Sequence, residues 1–317
     1  MALFAWASVA AAGISVGACQ GAPVPLRVGA NLWPGYEPLY LAQSLGYVEA
    51  GVARIIRFSS ATEVVRAYRN GLVDAAALTA DEAILATSGA ASHRIVLVFD
   101  VSNGADALVA KPELRTLSDL RGARVGVEAT ALGAFMLARA LEHAGMTPQD
   151  VHVVPTALAD HEQAFRDGSV DAVVTFEPRK SRLLKQGARS LFDSSQIPGE
   201  VVDVLVTRQT LSPPQERALA QVVAAWFRTL DFMRDHRDDA NARMARLEGI
   251  TPSEFEASLV GIELGQRAFN SELLAGSSPR MLETLDLMAR LLPDQYHRSG
   301  SAGRLRPDPA YLPKEAR

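Results

Sequence analysis

Cysteine is nearly missing from this 317-residue sequence, with Cys19 the only one. That excludes internal disulfides and any zinc site built on thiolates. Lysine is scarce as well: Lys111, Lys180, Lys185 and Lys314 stand against 32 basic residues in all. The arginines that make up the rest are scattered singly, and the net charge is −4. No basic stripe is therefore offered to nucleic acid. There is no Walker motif and no Gly-x-Gly-x-x-Gly. A Gly-x-Ser-x-Gly pattern does occur at Gly13 to Gly17, but inside an apolar leader, where it cannot form a nucleophile elbow. His93, His143, His152, His161, His236 and His297 show no i, i+4 ligand spacing and read as surface or helix-end residues. Metal, cofactor and covalent catalysis are not expected.

What remains is an ordinary soluble composition, 48% hydrophobic and 21% charged. The length suits two lobes, each large enough to bury its own core. Residues 2–18 carry no charge and run in small apolar residues up to Cys19. That is the pattern of an export segment, although no Lys or Arg follows Met1. About 17 residues rich in Ala and Gly are marginal for a membrane span. Val16-Gly17-Ala18-Cys19 resembles the lipobox of bacterial lipoproteins. The resemblance implies a signal peptide over 1–18 and a lipidated Cys19 as first mature residue, anchoring the protein to a membrane in the periplasm or cell envelope.

A repeat organises the chain. RVGANLWPG from Arg27 is matched by RVGVEATALG from Arg124, and Gly71 of NGLVDAAALTADE by Gly168 of DGSVDAVVTFEP; both pairs are 97 positions apart. Each copy reads as strand, loop, helix, then a second helix with a capping-box start (Ser60 with Glu63, Asp160 with Gln163) closed by glycine. The strands that follow, at 73–78 and 170–175, are continuous apolar runs, as expected of strands covered on both faces. Repeated βαβ predicts mostly parallel sheets flanked by helices. Apolar segments near 95–110 and 201–207 read as crossings between lobes. Beyond Pro213 helices are expected at 214–235, 238–248, 252–264 and 279–292. Lobe 1 is then 26–101 with 207–297, lobe 2 is 102–206, and 298–317 is an irregular tail.

Ligands of parallel α/β sheets bind beyond the carboxyl ends of the strands, at loops that feed helix N-termini. The stretches NLWPGYEPLYLAQSLGY (31–47), VDAAALTADE (73–82), SNGADALVA (102–110), DLRGARVGVE (119–128), VDAVVTFEP (170–178) and VDVLV (202–206) carry those loops. Together they resemble the NMT1/THI5-like branch of ABC-transporter substrate-binding proteins, which is similar to receptors for nitrate, taurine, alkanesulfonates and thiamine-precursor pyrimidines. The resemblance implies a two-lobed periplasmic binding protein of type II, with two crossover strands as hinge and a ligand between the lobes.

The candidate ligand contacts are Trp33, Tyr36, Glu37, Ser60, Thr79, Asn103, Asp106, Glu128, Thr130, Phe176, Glu177 and Asp203. Trp33 and Tyr36 can cover a flat ligand group, and an indole N–H can donate to it. Thr79 opens a capping box with Glu82, which reads as structural. Carboxylates crowd the nominated loops, and no Lys or Arg stands in them before Arg179. Such a set favours a cation, an amine or a ring with several N–H donors, while Glu at a helix start is also favoured by the helix dipole alone. The expectation is a monomeric, non-enzymatic receptor that hands an amine- or N-heterocycle-containing solute to an inner-membrane ABC permease. A small-anion receptor, a ligand-sensing partner of a membrane kinase and an enzyme on the same fold are the alternatives.

Overall fold

The computed structural model describes residues 24–87, 91–128, 131–291 and 305–313. The expected export segment, Cys19 and Thr130 lie outside these described residues. The first copy of the repeat folds as β1 (Leu26–Asn31), α1 (Glu37–Ser44), β2 (Ala53–Phe58), α2 (Ala61–Arg69), β3 (Ala75–Thr79) and α3 (Ala80–Ala86). β4 (His93–Ser102) leads across to β5 (Asp106–Ala110). The second copy is β6 (Arg124–Val127), α4 (Ala131–His143), β7 (His152–Pro155), α5 (His161–Asp167), β8 (Ala172–Phe176) and α6 (Arg179–Lys185). After β9 (Arg189–Asp193) the chain returns through β10 (Val202–Arg208) to α7 (Pro213–Asp235), α8 (Arg237–Glu248) and α9 (Pro252–Ser258). β11 (Ile262–Leu264), α10 (Arg267–Leu274), α11 (Arg280–Leu291) and β12 (Leu305–Pro307) follow.

Two sheets result. One runs β11-β4-β10-β3-β1-β2 with β12 also on β4, the other β7-β6-β8-β5-β9. Both are mixed. The repeated βαβ steps pair in parallel (β1 with β2 and β3, β6 with β7 and β8), whereas β10 lies antiparallel to β3 and β4, and β5 antiparallel to β8 and β9. The expected mostly parallel sheets are corrected here, because strands that carry the chain between sheets enter from the opposite end.

The repeat is visible atom by atom. Arg27 makes a backbone and a side-chain bond to Asp74 Oδ2 at 2.9 and 3.0 Å and one to Oδ1 at 2.9 Å. Arg124, 97 positions on, does the same to Asp171 at 2.9, 3.0 and 2.7 Å. Each clamp ties the start of one strand to the loop before its parallel neighbour (β1 to β3, β6 to β8).

β3 explains why its sequence is apolar throughout. Alternate side chains point to opposite faces, so Ala75 and Ala77 join a core under α1 and α7 with Val28, Leu39, Trp226 and Phe227. Ala76 and Leu78 join the other core, under α2, α3 and α11, with Val64, Tyr68, Ile84 and Leu285. Burying a Leu or Phe of this kind contributes roughly 1.5–3 kcal/mol.

Several expectations shift at the carboxyl end. The helix expected over 252–264 stops at Ser258, and Ile262–Leu264 instead pairs antiparallel with the edge of β4. α10 was not foreseen. β10 pairs in the first sheet from Val202 onward, so residues 202–206 belong with lobe 1 and not, as expected, with lobe 2. Within the expected irregular tail, Leu305–Pro307 forms a parallel strand on β4, and Arg94 donates to Tyr311 Oη at 2.7 Å. The crossing from β4 to β5 turns at Gly104, whose φ of +113° is open to glycine and costly for other residues.

Candidate ligand-binding cleft

The loops at the carboxyl ends of both sheets meet in a cleft. Asn31, Trp33, Tyr36, Ala61, Thr79 and Glu82 line it from the first lobe, and Glu128, Leu132, Gly133, His161, Val174, Thr175 and Phe176 from the second. Asp106 and Asp203 complete it from the two crossings. Its free space is about 40 Å³, room for roughly three water molecules, so the lobes stand close together around a small volume. Trp33 and Phe176 touch across the cleft edge to face, with centroids 5.5 Å apart. Thr62 donates to Glu128 Oε1 at 3.1 Å from one lobe to the other.

Seven of the nominated residues are thus brought together: Trp33, Tyr36, Thr79, Asp106, Glu128, Phe176 and Asp203. Four others are directed elsewhere. Glu37 is buried in lobe 1 against Arg57 Nη2 at 2.7 Å. Ser60 caps α2 by accepting the Glu63 N–H at 3.3 Å and lines a neighbouring depression that shares Glu128 with the cleft. Asn103 donates to Glu263 at 2.7 Å on the far side of the crossing. Glu177 turns back onto Ser181, accepting from its N–H at 3.2 Å and its hydroxyl at 3.0 Å.

The polar ends of the aromatics are also committed. Trp33 Nε1 donates to both oxygens of Asp100, at 3.3 and 3.2 Å, and the Tyr36 hydroxyl donates to Asp203. The indole N–H expected to meet the ligand is therefore spent inside the protein, which leaves the ring as the contact surface. Gly35 lies between them because a Cβ there would stand 2.1 Å from Asp100 Oδ2 and 2.4 Å from Trp33 Nε1.

Among the lining residues that were not nominated, two are titratable, Glu82 and His161. Glu82, structural on the capping-box reading, does accept the Thr79 N–H at 3.2 Å, yet it also faces the cleft. His161 opens α5, as a helix-end histidine would, but like His93 it is buried and not at the surface. Its Nε2 faces Thr156 O at 3.3 Å and its Nδ1 the Thr175 hydroxyl at 3.2 Å. Burial pushes His161 down to about 4, so it is a neutral wall at neutral pH.

Electrostatically the cleft is one-sided. Glu82, Asp106, Glu128 and Asp203 line it, Asp81 and Asp100 lie just behind, and no Lys or Arg is among the described lining residues. Burial, above all, raises every one of them: Asp81 to about 6, Asp100 and Asp106 to about 7, and Glu82 and Asp203 well above the carboxylate range, with neighbouring carboxylates adding to the push on all but Asp81. Glu128 is raised as well, again by burial, while bonds from Thr62 and the more distant Arg179 guanidinium oppose it. Among the described residues no group of three or more His, Cys, Asp or Glu is disposed to hold a metal ion. None of the described helices is long and apolar enough to cross a membrane. The cleft can accept N–H donors; as protonated acids, its carboxyls can also donate.

Comparison with known proteins places this geometry in context. The family model described as the NMT1-like family matches residues 20–248. The taurine-binding periplasmic protein of Escherichia coli (strain K12) is 28% identical over 156 residues, 48% of either chain. The putative aliphatic sulfonates-binding protein of the same strain is 26% identical over 244 residues, 74% of either chain. The chain thus spans about half the length of the first relative and three quarters of the second. Among solved structures, the alkanesulfonate-binding protein SsuA from Xanthomonas axonopodis pv. citri, bound to MOPS, superposes with a TM-score of 0.71 at 20% identity, over 90% of this chain and 99% of that one.

Proposed function

The chain belongs to the NMT1-like family, and from that premise we propose that it is the solute-binding receptor of an ABC importer in the cell envelope, held to a membrane through lipidated Cys19. Its two sheet-centred lobes close over a small solute that carries at least one amino, amidine-like or ring N–H group. The observation that carries this reading is the cleft itself: both lobes and both crossings contribute lining residues, four of them carboxyls and none a Lys or Arg. No bond is made or broken. Closed and open forms are in equilibrium, and a solute touching both lobes binds the closed form better.

Charge decides the solute class. An ionised carboxylate in a site with little water is stabilised strongly by an ammonium or amidinium, a charge-assisted bond worth about 1.5–3 kcal/mol. A bare anion meets the opposite field unless the carboxyls hold protons. The small volume limits the captured group to a compact one, with the Trp33 and Phe176 rings as its apolar cover.

A small-anion receptor is the second reading, favoured by the names of the two relatives and by carboxyls raised enough to donate as acids. Taurine, which has both an ammonium and a sulfonate, suits either. Isothermal titration with taurine, an aminopyrimidine, putrescine, methanesulfonate and nitrate at pH 6 and pH 8 separates them. Amines are expected to bind, and more tightly at pH 8, where more of the carboxyls are ionised. Binding of methanesulfonate or nitrate alone, tighter at pH 6, would overturn the amine reading in favour of the anion.

A further inference from the structure

The two crossings gather three aspartates at the hinge end of the cleft. β4 and β10 are neighbours whose register sets Asp100 opposite Asp203, and Asp106 opens β5 where the first crossing ends. All three are at most 3% exposed. Asp100 is occupied by the Trp33 indole and Asp203 by the Tyr36 hydroxyl. Asp106 differs. Its backbone N–H is used on Ser102 Oγ at 3.1 Å, that hydroxyl is itself paired with Ser194 Oγ at 2.7 Å, and Asp106 Oδ2 is buried with no hydrogen-bond partner among the described residues. An orphaned buried acceptor in a native site calls for a partner.

We propose that Asp106 is the specificity-determining residue of the cleft, its carboxyl neutralised by a proton before the solute arrives and by an N–H group of the solute afterwards. The inference rests on the amine reading above and deepens it: the exchange makes capture proton-coupled. The surroundings explain why a proton is held. Glu82 on α3, Asp203 on β10 and Glu128 after β6 line the site with it, Asp81 and Asp100 lie just behind, and Glu177 after β8, though bonded to Ser181, adds its charge, with the Tyr36 hydroxyl and neutral His161 beside them. Lys180 of α6 opposes this field, but its ammonium donates to Gly104 O in the crossing. Burial and these carboxyls push Asp106 up to about 7. When a cationic group takes the place of the proton, the proton leaves to bulk water, so up to one proton is released per solute near neutral pH.

Asp106→Asn keeps the shape and removes the charge. Titration of wild type and variant with taurine and with putrescine, both carrying an ammonium at pH 7, in phosphate and in Tris, reads affinity and proton release together. The variant is expected to lose about ten- to a hundredfold in affinity and to release no proton; equal affinity and an equal proton count in both proteins overturns the proposal. Thermal melts without solute read the charge independently. Asp106→Asn should melt above wild type at pH 8 and level with it at pH 5, and the absence of such a difference overturns the protonated carboxyl on which the proposal stands. If neither amine binds wild type, the amine reading falls and with it the role of Asp106 in specificity, even where the melts bear out its charge.

Discussion

Gly35 shows how closely single residues are set against one another in this protein. It lies where the first loop folds over Asp100, and Gly35→Ala is expected to cost about 1–3 kcal/mol, because the new methyl must displace either the carboxyl or the Trp33 indole; urea unfolding measures it. The acidic groups set a pH dependence whose sign is fixed. Glu37 is raised to about 8, Asp100, Asp106 and Glu248 to about 7, and Asp81 to about 6, in each case chiefly by burial. A carboxyl raised on folding contributes stability that is fully present below its unfolded value near 4 and is lost as pH climbs through its folded value. Melting temperature should therefore fall between pH 5 and pH 8.5 at constant ionic strength, and a flat or rising profile contradicts these protonation states. The surface groups Glu63, Asp119 and half-buried Asp150, lowered mainly by hydrogen bonds, titrate below this window. Sequence spacing could nominate Trp33, Tyr36, Asp106 and Asp203 because strand ends announce themselves. It could not say that the indole and phenol would turn inward, since that follows from β4 and β10 lying side by side. His161 carried no signal at all: a lone histidine at a helix start is exposed or buried according to what packs on it.

Elements that keep their own periodicity were legible, and those that depend on a distant partner were not. The capping signal at Thr251 to Glu254 is real, with Thr251 Oγ1 accepting the Glu254 N–H at 3.2 Å, but Gly261 turns the chain with φ of +85° and frees the next three residues to pair with β4. α10 is short; besides Leu273 and Leu274 in the core it is held by Asn270, whose side chain accepts the Val98 N–H at 2.7 Å and donates to Val98 O and Gly265 O, each at 2.9 Å. Asn270→Ala leaves those buried groups of β4 unpaired and is expected to cost about 3 kcal/mol, read by chemical denaturation. The paired clamps behave differently. Arg27 and Arg124 are 36% and 46% exposed along their side chains, so solvent screens them, and Arg27→Ala and Arg124→Ala should each cost only about 1 kcal/mol. That equal cost would be the energetic trace of the 97-residue repeat, which the sequence showed through its glycines and the structure through its ion pairs.

At the scale of the whole molecule, α3 packs on α4 between the lobes, and two contacts over the cleft, the Trp33–Phe176 ring pair and the Thr62–Glu128 bond, add to it. Removing both with Phe176→Ala and Thr62→Val is expected to shift the solute-free protein toward the open form, seen as a larger radius of gyration in X-ray scattering with little loss of melting temperature. An unchanged radius would mean that closure is set elsewhere. The outer edge of β4 carries a different lesson. β11 covers it near Ser102 and β12 near His93, so β12 acts as a selvedge on the first sheet. A chain cut before Leu305 would bare backbone donors and acceptors along that margin, and bare margins recruit one another. Anyone shortening or tagging this protein at its carboxyl end should expect clumping from the cut and none from a tag hung beyond it.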